Sequence, residues 1–140
     1  MKYEPGELRV VAYRYGKKWA ENVVKTTDEP ARLQASADRE LIRADGKDLA
    51  FITLKVTDEN GQTVPTAMNP VTFEIDGPGE IVATDNGDPT NFVPFPSHER
   101  EAFHGLALAI IRSKAGHSGT MSITAKSPGL EPAQVIVKSQ

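Results

Sequence analysis

Asp85, Asn86, Asp88 and Asn91 crowd oxygen-bearing side chains around Gly87. Hard cations such as calcium take several oxygens of this kind, so Asp85, Asn86 and Asp88 are the weak metal candidates. The spacing does not fit an EF-hand loop, and no glutamate stands at the offset for a bidentate ligand. The competing reading is a series of Asx turns, in which the side chains accept from their own backbone. His98, His104 and His117 raise the question of zinc, but three scattered histidines in a strand-rich chain are expected to be surface or hydrogen-bonded residues. Trp19, Tyr13 and Tyr15 could stack on a sugar. With aromatic residues at 6% of the chain, Trp19 is better read as packing its own hairpin against a sheet. There is no Gly-x-Ser-x-Gly elbow, no Gly-x-Gly-x-x-Gly and no phosphate loop. The expectation is no catalytic residue, no cofactor and no committed metal site.

The elements around these residues read with the two-residue period of strands. Leu8 to Tyr13 alternates, and Trp19 to Thr26 follows a short turn at Tyr15–Lys18, so a hairpin is expected there. Thr27–Pro30 is polar and ends in a proline, which marks a boundary. The clearest strand runs from Ala50 to Thr57, with Ile52, Leu54 and Val56 inward. Asn60–Gly61 is a turn. Val71, Phe73 and Ile75 form a second inward row, and Gly77–Pro78–Gly79 stops it. Ile81 to Ala83 reads as a short strand, and Phe103 to Arg112 as a central one, apolar on both parities. Thr120 to Lys126 places Met121 and Ile123 inward, and Ala133 to Lys138 closes the chain. Leu106, Leu108, Ile110 and Val135 complete the expected core. From Asp85 to Arg100 the pattern fails, which predicts a long loop of the kind that is often functional. The one helix candidate, Ser97 to Ala102, is very short.

Many short strands separated by turns predict an all-β, immunoglobulin-like two-sheet β-sandwich carrying an N-terminal hairpin. The chain has 140 residues, no cysteine and a formal net charge of −3. That length suits one domain plus an appendage. Without cysteine there is neither a disulfide nor a thiolate metal site. No basic stripe is present to neutralise phosphates, so nucleic acid is not an expected partner. No apolar run is long enough for a membrane-spanning helix.

A family resemblance enters with the motifs themselves. Ala44–Asp48, Ile52–Val56, Asp58–Pro65, Val71–Phe73, Gly77–Gly79 and Gly119–Ala125 occur in an order that resembles bacterial Ig-like modules of invasin type. Asp85–Thr90 followed by Ala102–Leu106 is similar to the C-terminal Ig-like domain of family 2 glycoside hydrolases of β-galactosidase type. Tyr3–Leu8 with Val11–Tyr13 and Gly16–Lys17 looks like the last hairpin of an Ig-like domain preceding it. Residues 91–97 are richer in proline and phenylalanine than that family's pattern.

The resemblance implies three segments: a hairpin remnant at 1–27, a linker at 28–30 and an Ig-like module at 31–140. It implies a non-catalytic accessory domain of a bacterial hydrolase, itself periplasmic or secreted. Glu74, Glu80, Glu99 and Glu101 match neither catalytic motif of the family. Asp85, Asn86, Asp88, Thr90 and His98 would then face the hydrolase's cleft or a neighbouring domain. The partners implied are the other domains of that protein, with self-association through the hairpin as a further expectation because unpaired strand edges bind one another. A carbohydrate-binding module and an Ig-like repeat of a surface adhesin are the alternatives.

Overall fold

In the computed structural model, residues 4–140 are described; Tyr3, the first residue of the hairpin motif, lies outside them. Strand β1 (Glu7–Arg14) pairs antiparallel with β2 (Lys17–Lys25). Tyr15 and Gly16 join them, both with positive φ, at 50° and 74°. That is the conformation of a type I′ turn, whose twist matches the strands it connects. At the base of the hairpin, the Thr26 amide donates to the Gly6 carbonyl at 2.9 Å. The pair forms a two-stranded sheet of its own.

Among the described residues, the other nine strands make two sheets. One contains β3 (Arg32–Ala37), β5 (Leu49–Thr57), β9 (Leu106–Ser113) and β7 (Gly79–Asp85), in that order and antiparallel throughout. The other contains β4 (Leu41–Ile42), β11 (Ala133–Ser139), β10 (Gly119–Lys126), β6 (Pro70–Asp76) and β8 (Glu99–Glu101), in that order. Only the β4–β11 contact in it is parallel. The architecture is the expected immunoglobulin-like sandwich.

The core sits between the sheets. Ala50, Ile52, Leu54 and Val56 of β5 are buried, while Phe51, Thr53 and Lys55 face outward. The facing sheet supplies Val71, Phe73, Met121, Ile123 and Val137. Ile75 and Val135 pack at the margin of this cluster. Gly79 starts β7 because a Cβ there would lie 2.4 Å from the Met121 sulfur. At about 25 cal/mol per Å² of apolar surface removed from water, this interlayer is the main favourable term.

Two expectations need correction. Leu106, Leu108 and Ile110 are not core residues: Ala107, Ala109 and Ile111 point inward, and Leu106 is 41% exposed. The tight turn at His104–Gly105, with φ of 51° and 74°, sets that parity. Phe103 and Leu106 exchange hydrogen bonds across it, and the Val56 amide donates to the Gly105 carbonyl at 2.8 Å. A strand apolar on both faces carries no side-chain signal of its register, so the turn decides. Secondly, Ser97–Ala102 holds no helix. Its middle is β8, paired with Pro70–Thr72 of β6.

Candidate functional site

The segment from Asp85 to Arg100 is not a free excursion. It leaves the end of β7 and returns along the open side of the sandwich, between β7 and β6. The Thr84 amide donates to the Phe95 carbonyl at 2.7 Å, and the Phe73 amide to the His98 carbonyl at 2.8 Å. The Thr84 hydroxyl donates to the Ser97 carbonyl at 2.7 Å. The segment therefore covers two strand edges that would otherwise present unpaired backbone groups.

Arg100 holds it there. This side chain points inward from β8, and the residue is 3% exposed. Its Nε donates to the Thr84 hydroxyl at 3.2 Å, and Nη2 to the carbonyls of Thr84 at 2.7 Å and Pro94 at 3.0 Å. Nη1 donates to the Asn91 side-chain oxygen at 3.0 Å and the Val93 carbonyl at 2.9 Å. All five acceptors are neutral oxygens. A buried guanidinium costs free energy unless its donors are satisfied, and here the loop's own carbonyls satisfy them. Neighbouring Glu99 and Glu101 face outward. Arg100 is absent from the residues singled out by sequence. The available signal was the alternation Arg100, Ala102 against Glu99, Glu101.

The oxygen cluster is likewise turned on its own backbone. Asp85 Oδ1 accepts from the amides of Asn86 and Gly87 at 2.8 and 3.2 Å. Asn86 Oδ1 accepts from the Asp88 amide, and Asn86 Nδ2 donates to the Glu101 carbonyl at 2.9 Å. Asp88 Oδ1 accepts from both the amide and the hydroxyl of Thr90, at 2.8 and 2.7 Å. Those two bonds, helped by His104 nearby, hold the Asp88 carboxyl below its usual range. This is Asx-turn geometry. No group of three or more His, Cys, Asp or Glu side chains suited to a metal occurs among the described residues.

The histidines are dispersed. His98 is exposed on the returning segment. His104 occupies its tight turn, with Nδ1 3.2 Å from the Pro65 carbonyl and its ring edge-on to Phe103. Nδ1 of His117 lies 2.8 Å from the Ala115 carbonyl. Glu74 and Glu80 are ion-paired with Lys126 and Arg112, each at 2.7 Å. A depression of about 640 Å³ between the edges of β3 and β11 is lined by one carboxylate, Glu40.

Trp19 does not pack its hairpin against a sheet. It is 69% exposed, and the Arg14 guanidinium lies over its ring at 5.5 Å and over Tyr15 at 5.4 Å. Leu8, Val10, Tyr13 and Val24 are exposed with it. Beyond the hairpin, the linker touches the sandwich through Asp28. Its amide donates to Asp58 Oδ2 at 3.1 Å, and its carboxylate accepts from Asn60 Nδ2 at 3.2 Å. The outer face of the four-stranded sheet is apolar along Leu106, Leu108, Ile110 and Phe51. Ile110 stands opposite Phe51, and Leu108 opposite Thr53. The outer face of the other sheet is more polar, with Glu74, Asp76, Lys126, Gln134 and Lys138 around the exposed Ile136.

Against known proteins, a β-galactosidase of Bacteroides ovatus is 39% identical over all 140 residues, which span 16% of that protein. A β-glucuronidase of Formosa agariphila is 35% identical over 117 residues, 82% of this chain and 12% of that protein. Among solved structures, a glycosyl hydrolase family 2 member from Bacteroides cellulosilyticus matches the whole chain with a TM-score of 0.93 and 29% identity, over 18% of its own length. The chain thus spans less than a fifth of each of these three relatives. Residues 33–136 match the model of glycoside hydrolase family 2 C-terminal domain 5, and with a closed all-β sandwich over that same range, the chain belongs to this family of C-terminal domains.

Proposed function

We propose that the chain is a non-catalytic Ig-like accessory domain of a multidomain family 2 glycoside hydrolase of β-galactosidase type, and that it supports and packs against the other domains. The observation that carries this reading is the hairpin. Residues 7–25 form a sheet with exposed apolar side chains on both faces, and a two-stranded sheet alone is marginal in water. Such a hairpin makes sense as the last two strands of a preceding Ig-like domain, with residues 28–30 as the linker and 31–140 as the module. Domains of this kind transmit position rather than chemistry.

Supporting the non-catalytic part, retaining glycosidases need two carboxyl groups about 5 Å apart across the scissile bond. The depression between β3 and β11 offers one carboxylate, and Glu74 and Glu80 are neutralised on opposite sheets by cations.

The test is direct. The 140-residue chain and the full gene product are assayed side by side on a panel of aryl β-glycosides. Turnover is expected from the full product only. Hydrolysis by the 140-residue chain alone, or a gene with no catalytic domain upstream, overturns the reading.

A further inference from the structure

We infer that Phe92, Val93 and Phe95 form a preformed apolar knob that docks on another domain of the same hydrolase. This rests on the accessory-domain reading above and deepens it by naming the contact. Phe92 is 92% exposed and Phe95 63%. Large apolar side chains exposed together on one short segment mark an interaction site more often than an isolated exposed leucine does. Here they are also held still. The carbonyls of Val93 and Pro94 accept from the buried Arg100 guanidinium, and the Phe95 carbonyl accepts from Thr84. Pro94 and Pro96 stiffen the same stretch. Aromatic anchors on a rigid loop lose little conformational entropy on binding, which is what makes them effective.

The chemistry favours a protein surface over a sugar. Sugar recognition needs polar groups placed beside the aromatic face. In this loop Asp88 Oδ1, Asn91 Oδ1, the hydroxyl of Thr90 and the donors of Arg100 are engaged internally. What stands outward along residues 92–96 is phenylalanine, valine and proline. The partner is another domain because more than four-fifths of the matched relatives' length lies outside this chain. The chain also enters the sandwich at the end where the loop begins: the linker contacts the 58–60 turn after β5, and Asp85 closes β7 at that same end.

The experiment uses the absence of cysteine in this chain. Phe92→Cys and Phe95→Cys are made separately, in the 140-residue chain and in the full gene product. Thiol alkylation is followed by mass spectrometry of the labelled peptide, with urea-denatured protein as the unhindered reference. In the 140-residue chain both thiols should react within a few-fold of the reference rate. In the full product at least one should be slowed tenfold or more. Equal rates in the two proteins overturn the knob. So does a self-associating 140-residue chain that Phe92→Ser/Phe95→Ser renders monomeric, because the occupant is then a second copy. Protection of the thiols in the 140-residue chain by added galactosides overturns it in favour of a sugar. A gene without a hydrolase domain fails the accessory reading itself, and is recognised from the gene before any labelling.

Discussion

Arg100 shows how one side chain can organise sixteen residues. Its donors reach acceptors on Thr84, Asn91, Val93 and Pro94. Replacing it with methionine nearly keeps the volume and removes every bond, taking this donor from the buried Thr84 carbonyl and from the part-buried oxygens of Asn91, Val93 and Pro94. A buried oxygen so orphaned costs about 1–3 kcal/mol. Arg100→Met is therefore expected to lower stability by roughly 2–4 kcal/mol in urea unfolding and to open residues 88–98 to protease. An unchanged midpoint with an intact loop would remove the pin from the account. Three carboxyls make a second prediction. Asp45 accepts from the amides of Asp48 and Lys47, Asp58 from that of Gln62, and Asp88 from Thr90. In each case these bonds to the ionised form lower the folded pKa. A lowered folded pKa contributes stability above the unfolded value, about 3.9 for aspartate, and loses it as pH falls through the folded one. The melting temperature should be flat on this account from pH 7 to 5 and fall below about pH 4. Asp58→Asn should shrink the drop, and thermal melts across that range decide it.

At the scale of the element, β5 and β9 contrast. The β5 strand alternates strictly, so Ile52, Leu54 and Val56 were legible as core from sequence, and they are fully buried. The β9 strand is apolar at every position from Leu106 to Ile111, so its sequence allowed either face. Leu54→Ala should cost about 2–5 kcal/mol as a cavity in a closed core. Leu108→Ala, on the outer face, should cost less than about 1 kcal/mol. Equilibrium urea titration of both variants checks the parity. Equal losses would return Leu108 to the core. The short strand β8 was hidden for a different reason: with Glu99, Arg100 and Glu101 in a row, its inward member is a charge, and no apolar period survives to be read.

For the whole molecule, the hairpin and the sandwich are separate sheets joined through Thr26–Ala31. The bonds that bind the linker to the sandwich start at Asp28. Removing residues 1–27 is expected to leave the unfolding free energy of the remaining chain, from urea titration, within about 0.5 kcal/mol of the parent, since no sandwich strand loses a partner. A collapse of cooperativity on that deletion would show that the hairpin belongs to the module's own fold. The same separation leaves Trp19 exposed, since β1 and β2 pair only with each other among the described residues.

The amino-acid order alone determined the all-β class, the turn positions, the inward rows of β5, β6 and β10, and the family of C-terminal domains. Each of these is a local pattern, in which period-two alternation and turn residues act over a few neighbours. Tertiary structure alone decided the face of β9, the existence of β8, and the conversion of Asp85–Ser97 from an open loop into a pinned cover with phenylalanines outside. Those depend on bonds between residues far apart in sequence, such as Arg100 to Thr84 and Val56 to Gly105. A guanidinium has the same composition in solvent as in a core, and only the acceptors brought to it by the fold decide which it becomes.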